Sequence, residues 1–142
     1  MMGQTSGIEK SVKCTAAIAT AYLLAKFGAD DDTLSQATAS TEELVGVFQH
    51  TTIAANDEVR VMLTGITRVV LGGTVTRGNL ITSDANGKGV AVTQHTHTEN
   101  TAGTYTQNAT TAAALAVRTI GKALASGVAG DIIPMLLAPG AA

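Results

Sequence analysis

His95 and His97 alternate in "HTHTEN", so on an extended segment both imidazoles face one way, the beginning of a metal site. A zinc site needs at least three protein ligands, and no third His or Cys stands beside them. Asp30, Asp31 and Asp32 bring three carboxylates together, but without the alternating oxygen ligands and closing bidentate Glu of a calcium hand they read as a charged turn. His50, Asp57 and a nearby Ser or Thr have the residue types of a hydrolytic triad, yet no nucleophile elbow accompanies them. In "GGTVTRGNL", Gly73 and Gly78 have phosphate-loop spacing, but Asn79 and Leu80 stand where Lys and Ser or Thr are required. Without the lysine the γ-phosphate has no cation, so these glycines are expected to shape a turn. Asn108 opens a glycosylation pattern, which matters only in a secreted chain. The single Cys14 excludes an internal disulfide and a multi-cysteine zinc site. No catalytic set survives, so the chain reads as a non-enzyme with no catalytic residue, metal or cofactor.

Elements that would otherwise position such groups are short. "AYLLAKF", "LVGVF", "EVRVMLTG", "ITRVVL", "NLITS", "GVAVT", "RTIGKAL" and "DIIPMLL" are separated by Gly, Asp and Asn clusters. This spacing predicts an all-β fold, a small compact barrel or sandwich. In "SDANGKG", Asn86 and Gly87 suit the positive φ angles of a primed hairpin turn.

Internal spacing suggests two related repeats. "GVFQHTTIAANDEVRVMLTG" and "GKALASGVAGDIIPMLLAPG" share an opening Gly (46 and 121), an Asp before a strand (57 and 131) and a closing apolar run. Upstream, the segments from Leu24 and from Leu80 match at an offset of 56, against 75 for the two glycines, so the second copy carries an insert. The division is therefore an N-terminal arm, residues 1–21, and one β domain, 22–142. Repeat one spans about 22–65 and repeat two about 78–140. The insert, 95–117, has seven Thr and six Ala in 23 residues.

Composition narrows the function. Hydrophobic residues are 45% of the chain but aromatics only 3%, so the core is built from small side chains and burial per residue is modest. Oligomerisation or docking on a larger surface follows. A net charge of −2 with no cluster of Lys and Arg argues against nucleic acid. The apolar stretch Ile132–Leu137 is six residues long and contains Pro134, where a membrane-spanning helix needs roughly 20. Lys10 and Lys13 before "CTAAIATAYLLA" imitate a secretory leader, but Glu9 and the interrupting threonines argue against it.

Alternation in "EVRVMLT" turns Val59, Val61 and Leu63 to the core and Glu58, Arg60, Met62 and Thr64 to water. In the second copy Ile133, Met135 and Leu137 face inward, leaving an outer face of Ile132, Pro134 and Leu136. Proline cannot donate to a ladder, so this strand is expected at a sheet edge, or with the Pro134 nitrogen turned out of the pairing. A strand apolar on both faces needs a cover, either the 95–117 insert or a neighbouring subunit, and the subunit is the one expected.

"RGNLITSDANGKGVAV", "RTIGKALASGVAGDIIPMLLAPG" and "KFGADDDTLSQATASTEELVGVFQHTTIAANDEVRVMLTG" together resemble the small decoration or cement proteins of tailed-phage heads. The resemblance covers roughly residues 22–94 and 118–140 and departs at the insert. It implies a β-rich body, commonly trimeric, on the outer surface of an expanded capsid, where it clamps neighbouring major capsid proteins and stabilises the shell. The expected capsid-contact arm contains Thr5, Ile8, Lys10 and Val12, and the expected subunit interface is Ile132, Pro134 and Leu136. The alternative is a receptor-binding or adhesin module that presents the 95–117 loop.

Overall fold

In a computed structural model of the protein, residues 7–93 and 117–141 are described, and among them the chain forms ten strands and no helix. β1 (Glu9–Cys14), β2 (Leu24–Phe27), β3 (Thr33–Gln36), β4 (Leu44–Phe48) and β5 (Glu58–Met62) close into a barrel in the order β1-β3-β2-β4-β5. β6 (Gly65–Val70), β7 (Leu80–Ser83), β8 (Gly89–Ala91), β9 (Arg118–Ala123) and β10 (Ile132–Ala141) form a second sheet, β6-β10-β9-β7-β8.

The two sheets are wired alike. The antiparallel pairings β2–β3, β2–β4, β4–β5 and β1–β5 have counterparts in β7–β8, β7–β9, β9–β10 and β6–β10. Parallel pairing of β1 with β3 closes the barrel, and one parallel bridge from Leu71 to Gly89 brings the second sheet towards the same closure. Leu24 and Leu80 begin their strands 56 residues apart, as do Thr33 and Gly89; Leu44 and Arg118, and Glu58 and Ile132, begin theirs 74 apart.

Special backbone positions recur at the same offsets. Positive φ falls at Tyr22 (65°) and Gly78 (93°), and again at Asn56 (67°) and Gly130 (90°). Asp57 Oδ2 accepts the N–H groups of Ile53 and Ala54 at 3.1 and 2.9 Å, and Asp131 Oδ2 accepts that of Val128 at 2.9 Å. Each Asp thereby ties the turn before the last strand of its half. A side chain at Gly46 would run into the Met62 carbonyl, and one at Gly121 into the Leu136 carbonyl. Both glycines sit where two backbones approach too closely for a Cβ.

The core has two parts. Inside the barrel Cys14, Ile18, Leu23, Ala25, Leu34, Phe48, Val59 and Val61 pack together. A larger cluster joins the outside of the barrel, through Leu24, Leu44, Val47 and Met62, to Val69, Leu71, Ile81, Met135 and Leu137 of the second half. Val59 and Val61 face inward as alternation requires, but Met62 is buried as well, because the barrel wall it projects from is covered by the second sheet.

Three sequence expectations need correction. Residues 1–21 were expected to be an extended arm, yet Glu9–Cys14 is a barrel strand, antiparallel to β5 from Glu9–Met62 through Lys13–Glu58. β10 lies between β6 and β9, not at an edge. Its Pro134 is tolerated because Leu124 N–H donates to the Pro134 carbonyl at 3.0 Å, which directs the donorless nitrogen of the same residue towards Leu124, one residue past the end of β9. Finally, Gly87 has positive φ (72°) but Asn86 does not. The hairpin is held by Asp84 Oδ1, which accepts the Asn86 and Lys88 N–H groups at 2.8 and 2.9 Å, leaving one left-handed residue instead of two.

Candidate functional site

The residue sets that could have done chemistry are occupied by structure. His50 Nε2 accepts the Arg60 N–H at 3.1 Å, and Nδ1 lies 3.0 Å from the Thr51 carbonyl, to which it donates in the tautomer this pairing requires. Asp57 is turned to its own loop, so histidine and aspartate form no relay. In the glycine-rich stretch the Gly72, Val75, Thr76, Arg77, Gly78 and Asn79 N–H groups all bond within the protein, leaving no cradle for a phosphate there. At Asp30 the main chain turns onto Thr33, whose hydroxyl donates to the Asp30 carbonyl at 3.0 Å. Cys14 is buried, with Sγ 3.3 Å from Thr52 Oγ1 and from the Asp57 carbonyl. Among the described residues no three His, Cys, Asp or Glu side chains are grouped to hold a metal. His95, His97, Asn108 and the 95–117 loop, apart from Val117, lie outside the described residues.

What remains is surface. On the outer face of the second sheet, Ile66, Leu136, Lys122 and Leu80 are successive register partners across β6, β10, β9 and β7. Beside this row Pro134 pairs with Arg68, and then Ile132 with Val70. Leu136 is 43% exposed, Ile132 53% and Leu80 42%, whereas Pro134 is buried among its neighbours. Arg68 and Lys122 are exposed and form no ion pair among the described residues. Of the three residues expected as a subunit interface, two are therefore available to a partner. Leu80, which the sequence reading did not include, joins them because β7 and β9 align it with Lys122.

Of the residues expected in the contact arm, Ile8, Lys10 and Val12 lie on or beside the barrel wall. Ile8 is exposed and is fixed by its N–H to Thr64 Oγ1 (3.1 Å) and by its carbonyl, which accepts the Leu63 N–H (2.8 Å). Lys10 is opposite Val61 and exposed, and Val12 is opposite Val59 and half-buried. Thr5 lies outside the described residues. Beside Lys10, Arg60 and Glu9 form a loose surface pair at 3.7 Å.

A tightly held charge cluster lies on the barrel. Glu42 receives Lys26 Nζ at 2.7 Å, the Thr38 N–H at 2.8 Å and the Thr38 hydroxyl at 2.7 Å. Burial alone would raise its pKa, but these bonds and the lysine charge outweigh it and bring the carboxyl from 4.5 down to about 2. The side chains are only about a quarter exposed, so this cluster fixes the strap between β3 and β4 and offers no reactive group.

Comparison with known proteins agrees with a surface-acting chain. No curated protein matches it. Among solved structures, the N base of head fiber gp8.5 of bacteriophage phi29 superposes with a TM-score of 0.63 at 14% identity, covering 92% of this chain and 93% of that one; at this identity the likeness concerns the fold. The phage cement protein family matches residues 11–130, which takes in the whole barrel except the start of β1 and all of the second sheet except β10. By that match the chain belongs to the phage cement protein family, structural proteins of the virion that associate with the capsid.

Proposed function

We propose that the protein decorates the outer surface of an expanded phage capsid as a homotrimer, bridging major capsid proteins and so stabilising the shell. The observation that carries this reading is the family match over residues 11–130. It is supported by a second sheet in which β10 is paired on both sides yet Ile132, Leu136 and Leu80 are left exposed on one face. Three weak capsid contacts joined in a trimer bind far more tightly than one, through effective concentration. In this reading Ile132 and Leu136, with Pro134 buried between them, form the subunit interface, and Thr5, Ile8, Lys10 and Val12 face the capsid. The matching wiring of the two sheets further supports an origin by tandem duplication, with residues 95–117 added to the second copy.

The test is gradient co-sedimentation of purified protein with undecorated, expanded heads. Saturation near stoichiometry with the major capsid protein is the expected result. A folded protein that stays at the top of the gradient would refute decoration and transfer the assignment to a receptor-binding module, present in few copies per particle. Removal of residues 2–6, which spares β1, should weaken head binding without changing the melting temperature. Removal to residue 12 would take out most of a barrel strand and test folding instead.

A further inference from the structure

Charge divides the chain unevenly. Residues 1–64 carry four Lys or Arg against eight Asp or Glu, and residues 65–142 carry five against three, giving −4 and +2. The excess acid is concentrated at the tip of the β2–β3 hairpin, where Asp30, Asp31 and Asp32 are all exposed and form no ion pair among the described residues. Three residues before Asp30, Phe27, one of only four aromatic residues in the chain, is 64% exposed. The tip is tied to Thr33: the Gly28 N–H donates to the Thr33 carbonyl at 2.9 Å and the Asp30 N–H to Thr33 Oγ1 at 3.1 Å.

The outer face of the second sheet has the opposite character. Leu136, Leu80 and Ile132 supply an apolar floor, and Arg68 and Lys122 stand in it unpaired among the described residues. We infer that this face receives the β2–β3 hairpin tip of a second copy of the chain, with Phe27 on the leucine floor and Asp30–Asp32 against Arg68 and Lys122. This rests on the reading above that the face is a subunit contact and specifies its occupant. Because the tip belongs to the barrel and the face to the second sheet, the contact is head-to-tail, and such contacts build rings when the rotation closes. A trimer is then a closed ring with every tip and every face used. The opposite charges steer the encounter and set the register, while the aromatic anchor supplies the apolar burial.

Sedimentation velocity over a concentration series tests the inference. R68E/K122E and D30K/D31K should each weaken self-association by about tenfold or more, since like charges then meet across the contact. Combining all four substitutions in one chain should restore the oligomer, and Phe27→Ser should dissociate it. All positions are exposed, and unchanged melting curves verify that the variants fold. If D30K/D31K keeps the wild-type oligomer while Leu136→Asp abolishes it, the face is a subunit interface with a different occupant and this inference is wrong. If Leu136→Asp also leaves the oligomer intact, or the unaltered protein is monomeric throughout, the interface reading fails with it. Head binding is measured separately by co-sedimentation: its absence in the unaltered, assembled protein would refute decoration without touching the contact, and variants that lose the oligomer should bind heads more weakly as avidity is lost.

Discussion

Gly46→Ala and Gly121→Ala place a methyl group against backbone, not against a side chain that can swing away. At Gly46 the new carbon meets the Met62 carbonyl and lies 2.8 Å from Val61 Cγ1; at Gly121 it meets the Leu136 carbonyl and lies 3.2 Å from Met135 Cγ. Neither carbonyl can retreat alone, since β5 is held by β1 and β4, and β10 by β6 and β9. Restoring contact distance requires the strands to part by about 1 Å, and overpacking of this kind costs typically 1–3 kcal/mol. We expect the upper end, about 3 kcal/mol for each substitution. At ~3 °C per kcal/mol for a chain of this size, the melting temperature falls by about 9 °C. Gly73→Ala is the control. Its methyl group meets only Val90 Cγ1, at 3.7 Å, and φ there is not positive, so the change should be neutral or slightly stabilising through the unfolded state. Thermal and urea melts followed by circular dichroism measure all three. A drop below ~2 °C for Gly46→Ala or Gly121→Ala, or an equal drop for Gly73→Ala, would refute the close-approach argument, because backbone overlap should cost more than ordinary contact.

Glu42 gives an acid-stability prediction with a definite sign. Its folded pKa of about 2 lies below the ordinary 4.5, so its contribution is complete above pH 4.5 and is lost as the pH falls towards 2. Allowing for partial exposure, about 1–2 kcal/mol is at stake, and Glu42→Gln should flatten the dependence of melting temperature on pH across that window; parallel curves would contradict it. Asp57→Ala removes the acceptor for two N–H groups and Asp131→Ala for one, so the first should cost about 1–2 kcal/mol and the second about half as much by urea denaturation. Asn56→Gly should stay within about 0.5 kcal/mol of the parent, while Asn56→Val, β-branched at φ 67°, should lose more than 1 kcal/mol; similar midpoints for the two would show that the turn relaxes.

How far the fold could be read in advance depended on what kind of work each residue does. Gly46 and Gly121, and Asp57 and Asp131, were paired by spacing, and each pair does the same backbone job in its own half, because close approaches and turn ties admit few residue types. Most strands followed from short apolar runs set between turn residues. β1 was missed as a strand, since "EKSVKC" shows only Val12 and Cys14 to the core side and its ladder partners are 20 residues away in β3 and 45 to 53 away in β5. Met62 was assigned to water because period two specifies a side of the strand but not what covers that side. Leu80 could not be joined to Ile132 and Leu136 without the register between β7, β9 and β10.

Pro134 shows why the corrected position of β10 changes the kind of partner to seek. An edge strand recruits by its unpaired N–H and C=O groups, and its partner is another strand. From Ile132 to Leu137, β10 has β6 on one side, and β9 begins on the other at Met135, with Leu124 closing the gap at Pro134. Backbone addition is therefore blocked from Pro134 to Leu137, and only side chains are on offer there. A partner must supply apolar groups that fit between Ile132, Leu136 and Leu80 and charges that answer Arg68 and Lys122. Such a contact is sensitive to side-chain identity. Leu136→Asp should abolish it, while Leu136→Met, which conserves volume and apolarity, should leave the sedimentation profile unchanged. Strand addition would instead depend on backbone donors and tolerate both substitutions.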